Sequence, residues 1–93
     1  MDMNKENLTH RQIFYEKSNK VYCDFHVDAK NDYCGPMTYY EKNGLKDIME
    51  IYKNDKLNGI SKYYLKIKQN PIYKIGTYKN DVIHGIIVEL VYI

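Results

Sequence analysis

From Ile13 onward, aromatic and β-branched residues recur in short runs broken by Asn, Asp and Gly. Runs of that length, punctuated by residues that favour turns, predict strand–turn–strand structure. Residues 1 to 12 have a different texture. They are polar and without a period, and although Thr9 and Gln12 have capping-box spacing, no amphipathic helix follows. The expectation is a flexible lead-in over residues 1–12 and a single β domain over 13–93. The longest apolar stretch, Ile86-Ile87-Val88 and then Leu90 to Ile93, is interrupted by Glu89. It reads as a buried strand.

Self-similarity organises the rest of the pattern. Tyr52-Lys-Asn-Asp-Lys-Leu-Asn-Gly59 matches Tyr78-Lys-Asn-Asp-Val-Ile-His-Gly85, 26 residues later. Tyr39-Tyr40-Glu-Lys-Asn-Gly44 matches Phe14-Tyr15-Glu-Lys-Ser-Asn19, 25 residues earlier, and the Tyr pair returns at Tyr63-Tyr64. Gly35, Gly59 and Gly85 mark corresponding points, 24 and 26 residues apart. Asn54-Asp55 and Asn80-Asp81 suit two-residue hairpin loops, because Asn and Asp tolerate positive φ and bond their own backbone. Lys30-Asn31-Asp32-Tyr33 is their counterpart in the first unit. Gly59 and Gly85, four residues after their loops, leave room for a neighbouring strand or ring across the backbone, with Tyr52 and Tyr78 as the aligned rings. About three units follow. The predicted fold is all-β: tandem antiparallel hairpins in a single twisted, curved sheet of about six strands.

These residues resemble the MORN repeat, whose units are hairpins of about this length carrying an aromatic-x-x-Gly phrase. The closer likeness is to its bacterial variant, with Tyr-x-Asn-Gly/Asp-x-Leu-x-Gly followed by Tyr-Tyr-x-x-x-Gly. Here that phrase is Tyr52 to Gly59 with Tyr63-Tyr64, and again Tyr78 to Gly85. The likeness covers roughly residues 13 to 93. Val27 or Asp28 stands where the first unit should have Tyr, and the Lys66 to Pro71 segment is longer and lacks the expected glycine. The resemblance implies two kinds of role. Bacterial proteins of this type are often labelled antitoxins or immunity proteins, and MORN repeats elsewhere form scaffolds that contact lipid or protein. Fold alone does not choose between them.

Composition narrows the partners. The chain has 93 residues, 14 basic and 12 acidic, for a net charge of +2. That balance suits neither a nucleic-acid mimic nor a strongly basic nucleic-acid binder. Arg11 is the single arginine, and base-edge and phosphate recognition favour Arg over Lys. Direct nucleic-acid binding is therefore not expected. Tyr is abundant, 11 residues against two Phe and no Trp. Tyrosine favours half-buried strands and gives large contact area at low entropy cost. Cys23 and Cys34 lack CxxC spacing, and no His lies at a paired zinc spacing. The first residues contain no apolar signal region and no run is long enough to span a membrane as a helix. A reduced, cytoplasmic protein, in a bacterium or a phage-infected host, is the expectation.

Catalytic chemistry is not evident. There is no glycine-rich phosphate loop, HExxH or DxDxDG. Cys34 beside Gly35 lacks a nucleophile elbow, although Cys34 and His84 could meet in space. His84 occupies the repeat position of Asn58, which suits a turn-flanking role. The expected function is a non-enzymatic, cofactor-free inhibitor that binds a partner protein and blocks it sterically. The partner would be a toxin, as for an immunity protein, or a defence nuclease, as for a phage anti-CRISPR protein. The candidate contacts are Tyr39, Tyr40, Tyr63 and Tyr64, with adjacent tyrosines on opposite faces and one of each pair in the core. Lys66 and Lys68, with Lys74 around Pro71, form a small basic cluster that would suit an acidic partner or a nucleic-acid backbone, or protect a strand edge with charge. The alternative is a structural or membrane-surface scaffold. An uncapped apolar end from Ile86 to Ile93 would also invite a homodimer through the C-terminal strand.

Overall fold

The computed structural model describes residues 7–85 and 87–91, and these form one open antiparallel sheet of nine strands without a helix. The strands are β1 (Thr9–Phe14), β2 (Val21–Val27), β3 (Gly35–Tyr40), β4 (Lys46–Lys53), β5 (Lys56–Leu57), β6 (Gly59–Tyr64), β7 (Ile72–Lys79), β8 (Val82–Ile83) and β9 (Val88–Glu89). They follow one another across the sheet in chain order. β5 and β6 share the edge of β4, and β8 and β9 share the edge of β7. Six strands are six to eight residues long and three are two residues long. The expected count of about six therefore corresponds to the long strands.

Turn chemistry explains the hairpins. Asn54-Asp55 (φ 52° and 66°) and Asn80-Asp81 (φ 50° and 70°) are left-handed pairs, the geometry that matches the twist of the strands they join. At the opposite end of the sheet, each long hairpin is closed by the same backbone bond. Tyr15 N–H donates to Lys20 C=O, Glu41 to Leu45 and Leu65 to Pro71, at 2.8–2.9 Å. The last of these turns lacks the glycine of the second. Asn70 takes the left-handed position (φ 51°) that Gly44 holds there (φ 91°).

Each long hairpin carries an irregularity at one equivalent place. Ile13 pairs Cys23 and Phe14 pairs Val21. Tyr39 pairs Ile48 and Tyr40 pairs Lys46. Tyr63 pairs Lys74 and Tyr64 pairs Ile72. Tyr22, Asp47 and Tyr73 are the extra residues. A bulge repeated at one position bends successive hairpins in the same sense and strengthens the local twist.

Adjacent units are sewn together by aspartate. The Asp55 carboxylate accepts from Tyr33 N–H at 2.6 Å, and Asp55 N–H donates to Tyr33 C=O at 3.0 Å. One unit on, the Asp81 carboxylate accepts from Leu57 N–H at 2.7 Å, and Asp81 N–H donates to Leu57 C=O at 2.9 Å. The turn pair thus closes its own hairpin and ties it to the preceding one.

Burial is uneven. The apolar core is Cys23, Phe25, Val27 and Met37, on β2 and β3, with Tyr39 and Tyr52 packed against it. The expectation for the chain's end is corrected. Ile87, Val88, Leu90 and Val91 are exposed, Val91 at 83%, because β9 pairs with β7 alone and no described strand lies beyond it. Residues 86, 92 and 93 of that stretch lie outside the described residues. At the other end, β1 includes residues 9–12, which the polar texture had assigned to the lead-in. All six β1 residues are exposed, so backbone pairing to β2, rather than side-chain burial, orders them. Residues 1–6 lie outside the described residues.

Candidate interaction face

Alternation along each strand sorts the side chains onto two faces. Cys23, Phe25 and Val27 of β2 share a face with Met37 and Tyr39 of β3, since Cys23 pairs Tyr39. Ile48, Glu50 and Tyr52 of β4 join them, because Tyr39 pairs Ile48, Met37 pairs Glu50 and Gly35 pairs Tyr52. Tyr63 joins from β6 by pairing Ile48, and Tyr78 from β7 by pairing Gly59. This is the aromatic face.

Its rings touch in sequence. Tyr22 meets Tyr39 edge-on with centroids 5.6 Å apart, and Tyr33 bridges Phe25 and Tyr52, at 5.6 Å to each. The Tyr63 and Tyr78 hydroxyls lie 3.4 Å apart. The Tyr39 hydroxyl donates to Met37 Sδ at 3.2 Å, and the Tyr52 hydroxyl donates to Glu50 Oε1 at 3.2 Å. Burial, with the Cys23 thiol and the Glu50 carboxylate nearby, pushes the Tyr39 phenol up to about 12. The hydrogen bond with Tyr78, together with burial, does the same for Tyr63. Burial raises the Cys23 thiol to about 11. These groups stay protonated near neutral pH, so the face presents neutral hydroxyls and rings around one carboxylate.

Tyr39 and Tyr63 lie together on this face, flanking Ile48. Tyr40 and Tyr64 lie one residue further along their strands, beyond the pairing shift. Tyr40 lines the same depression as Asp24 on the opposite face, and burial, then Asp24 and Tyr64, raises its phenol. Tyr64 receives the Lys46 ammonium over its ring at 5.5 Å. Lys66 is brought to two carboxylates, Asp47 Oδ1 at 3.3 Å and Glu41 Oε2 at 3.7 Å. The bond to Asp47 is the main cause of its raised pKa. Lys68 is exposed in the same turn, while Lys74 turns away and lies over the Tyr63 ring at 5.3 Å.

The opposite face carries its own polar group. Asp24 accepts from Gln12 at 3.0 Å and meets His10 Nε2 at 2.7 Å, with the His10 and His26 rings 5.0 Å apart. Burial pushes the Asp24 carboxyl up, but the hydrogen bonds from Gln12 and His10 outweigh it and hold the group below the ordinary carboxylate value. A depression of about 350 Å³ beside it is lined by Gln12, Lys20, Asp24, Tyr40 and Lys42, among others. Among the described residues, no group of three or more His, Cys, Asp or Glu is placed to hold a metal ion. Cys34 and His84 are not neighbours in the sheet, since β4, β6 and β7 lie between β3 and β8.

The glycine expectation resolves into two contacts. Tyr52 and Tyr78 are the cross-strand partners of Gly35 and Gly59. The atoms that crowd those glycines are different: a Cβ at Gly59 (φ 134°) would stand 3.3 Å from Ile51 Cβ, and one at Gly35 3.3 Å from Leu8 Cδ1. Sequence reasoning missed Glu50, which is half-buried at the centre of the aromatic face. Its signal was the two-residue spacing of Ile48, Glu50 and Tyr52. Among the described residues, no helix is long and apolar enough to cross a membrane. Compared with protein-family models, with curated proteins and with solved structures, the chain matches none of them.

Proposed function

We propose that this chain is a non-enzymatic protein-binding inhibitor that neutralises a partner by covering it with a preformed sheet face. The observation that carries the reading is the single-layer sheet itself. Its aromatic face presents Tyr39, Tyr52 and Tyr63 half-exposed, and no second layer among the described residues covers them. Tyrosines fixed by ring contacts and hydroxyl bonds lose little freedom on binding, which is the property that makes such surfaces effective in recognition. The MORN-like phrase and the antitoxin or immunity role that goes with it support the same reading, as does the anti-CRISPR variant of it. Tyr39 and Tyr63 would be the contacts on this face, with Lys66 and Lys68 at its rim and Tyr40 and Tyr64 behind.

The test is co-expression with the toxins and defence effectors encoded beside its gene. Rescue of growth, with a 1:1 complex of the two purified proteins by calorimetry, is the expected result. Absence of both rescue and complex for every such effector would overturn it.

A membrane-surface scaffold is the second reading, and one observation favours it. A depression of about 420 Å³ along the tight-turn edge is lined by Lys53, Lys56 and Lys79 with three asparagines. Sedimentation with vesicles decides this reading: binding that does not rise with anionic lipid removes it.

A further inference from the structure

Glu50 sits at the middle of a patch three strands wide. Met37 is its partner on β3. On β6, the register that pairs Ile48 with Tyr63 and Met49 with Lys62, carried one residue further, sets Ser61 beside it. Tyr39 and Tyr63 stand at the two diagonals on the Ile48 side, and Tyr52 follows on β4 itself.

Two features of this patch are costly in the free protein. The carboxylate is half-buried and makes no ion pair among the described residues; the Tyr52 hydroxyl donates to it at 3.2 Å. Burial raises its pKa, and the Tyr52 bond only partly offsets this. Ser61 is 1% exposed, and its hydroxyl finds no partner among the described residues. A buried hydroxyl left unbonded and a carboxylate left unpaired are both unfavourable. The surrounding groups, Cys23, Met37, Tyr39, Tyr52 and Tyr63, are all uncharged near neutral pH, and the Lys74 ammonium on this face lies over the Tyr63 ring without forming an ion pair with Glu50 among the described residues.

We propose that Glu50, framed by Tyr39, Tyr52 and Tyr63, is the receptor for an arginine side chain of the partner protein. Charge complementarity selects the occupant. A guanidinium is weakly hydrated, stacks flat on a tyrosine ring and donates to a carboxylate in the same pose. A cation on an aromatic face is also a geometry this sheet already uses, at Tyr63 with Lys74 and at Tyr64 with Lys46. This inference rests on the protein-binding reading, since it names the chemistry of that partner's anchor.

The probe is N-acetyl-arginine methylamide, titrated into the full chain at neutral pH and followed by the ring resonances of Tyr39, Tyr52 and Tyr63. Saturable shifts in the millimolar range are expected, at least tenfold weaker affinity for the uncharged citrulline analogue, and at least tenfold weaker arginine binding to Glu50→Gln. A thermal melt no lower than that of the parent shows that the variant is folded. Equal binding of arginine and citrulline, equal binding to parent and E50Q, or no saturable shift would each overturn the proposal. This outcome separates from the inhibitor reading. Arginine binding that needs Glu50, with no partner protein found, upholds the receptor while the inhibitor reading fails. A partner that binds E50Q as tightly as the parent removes the receptor and leaves the inhibitor reading standing.

Discussion

The two ends of the sheet share one backbone plan and are held in different ways. In the half built on β2 and β3, Cys23, Phe25, Val27 and Met37 are buried, and Tyr33, Tyr39 and Tyr52 close over them. In the half built on β6 and β7, the one buried side chain beyond glycine is that of Ser61, and Tyr63, Tyr73 and Tyr78 supply the packing. The ladder, the left-handed Asn-Asp turns and the aspartate ties belong to the units as such. Among the described residues, a hydrophobic core belongs to one half alone. A repeat fold can therefore propagate from a packed end to a thinly packed one, because each unit leans on its neighbour.

Removing packing should expose this difference most strongly. Phe25→Ala should cost about 3 kcal/mol, read as a fall in the midpoint of urea unfolding. If the β6–β7 half stays folded alone, the transition should split rather than shift. Gly59→Ala comes next. Its φ of 134° and the 3.3 Å approach to Ile51 put the penalty at about 2–3 kcal/mol. Gly85 makes the contrast, with φ 80° and nothing within 4 Å of an added Cβ. Gly85→Ala should cost only the left-handed preference, about 1 kcal/mol. Equal losses at the two glycines would show that crowding against Ile51 contributes nothing.

The same contrast explains what was legible in the sequence. The hairpins were, because Asn54-Asp55 and Asn80-Asp81 carry their turn geometry in two residues. The two-residue strands were not, since Lys56–Leu57 and Val82–Ile83 are strands only by virtue of the edge they pair with. β1 was hidden for a related reason: six exposed residues leave no buried side in the pattern. The aromatic face was half legible. Repetition marked Tyr39 and Tyr63, but Glu50 lies inside an ordinary-looking strand, and its place is set by register with β3 and β6. Bulges at Tyr22, Asp47 and Tyr73 also break strict alternation. The engagement of Lys66 with Asp47 and Glu41 depends on the turn geometry between units.

The aspartate ties offer a finer test. Asp81→Gly keeps the left-handed turn but removes the acceptor for Leu57 N–H, and should cost about 1 kcal/mol. Asp81→Asn keeps an acceptor and should cost less. The hydrogen-exchange rate of the Leu57 amide is the readout, and faster exchange in the glycine variant alone identifies the tie. Ser61→Ala should move the other way. Deleting a buried hydroxyl without a partner should stabilise the chain by about 1 kcal/mol, so the buried side chains of the two halves differ in sign as well as size.

The smallest expected effect lies at the border of the two halves, at Glu50. Burial raises its folded-state pKa above the ordinary 4.5, with the Tyr52 bond working against the rise. An acid whose pKa is higher in the folded state binds its proton more tightly there, so ionisation works against folding. That penalty is absent below the unfolded-state value, grows as pH rises, and is complete above the folded-state value. Glu50→Gln keeps an acceptor for the Tyr52 hydroxyl and cannot ionise. It should therefore match the parent in acid and exceed it near neutral pH, by about 0.5 kcal/mol or less. Asp24 on the opposite face is the internal control, because its depressed pKa has the reverse sign: its contribution is present above the unfolded value and fades as pH falls through the folded one. A variant that gained stability equally at all pH values would assign the effect to packing rather than to charge. A gain confined to the pH range where Glu50 is ionised would show that the chain keeps, at the centre of its aromatic face, a carboxylate that the free fold is more stable without.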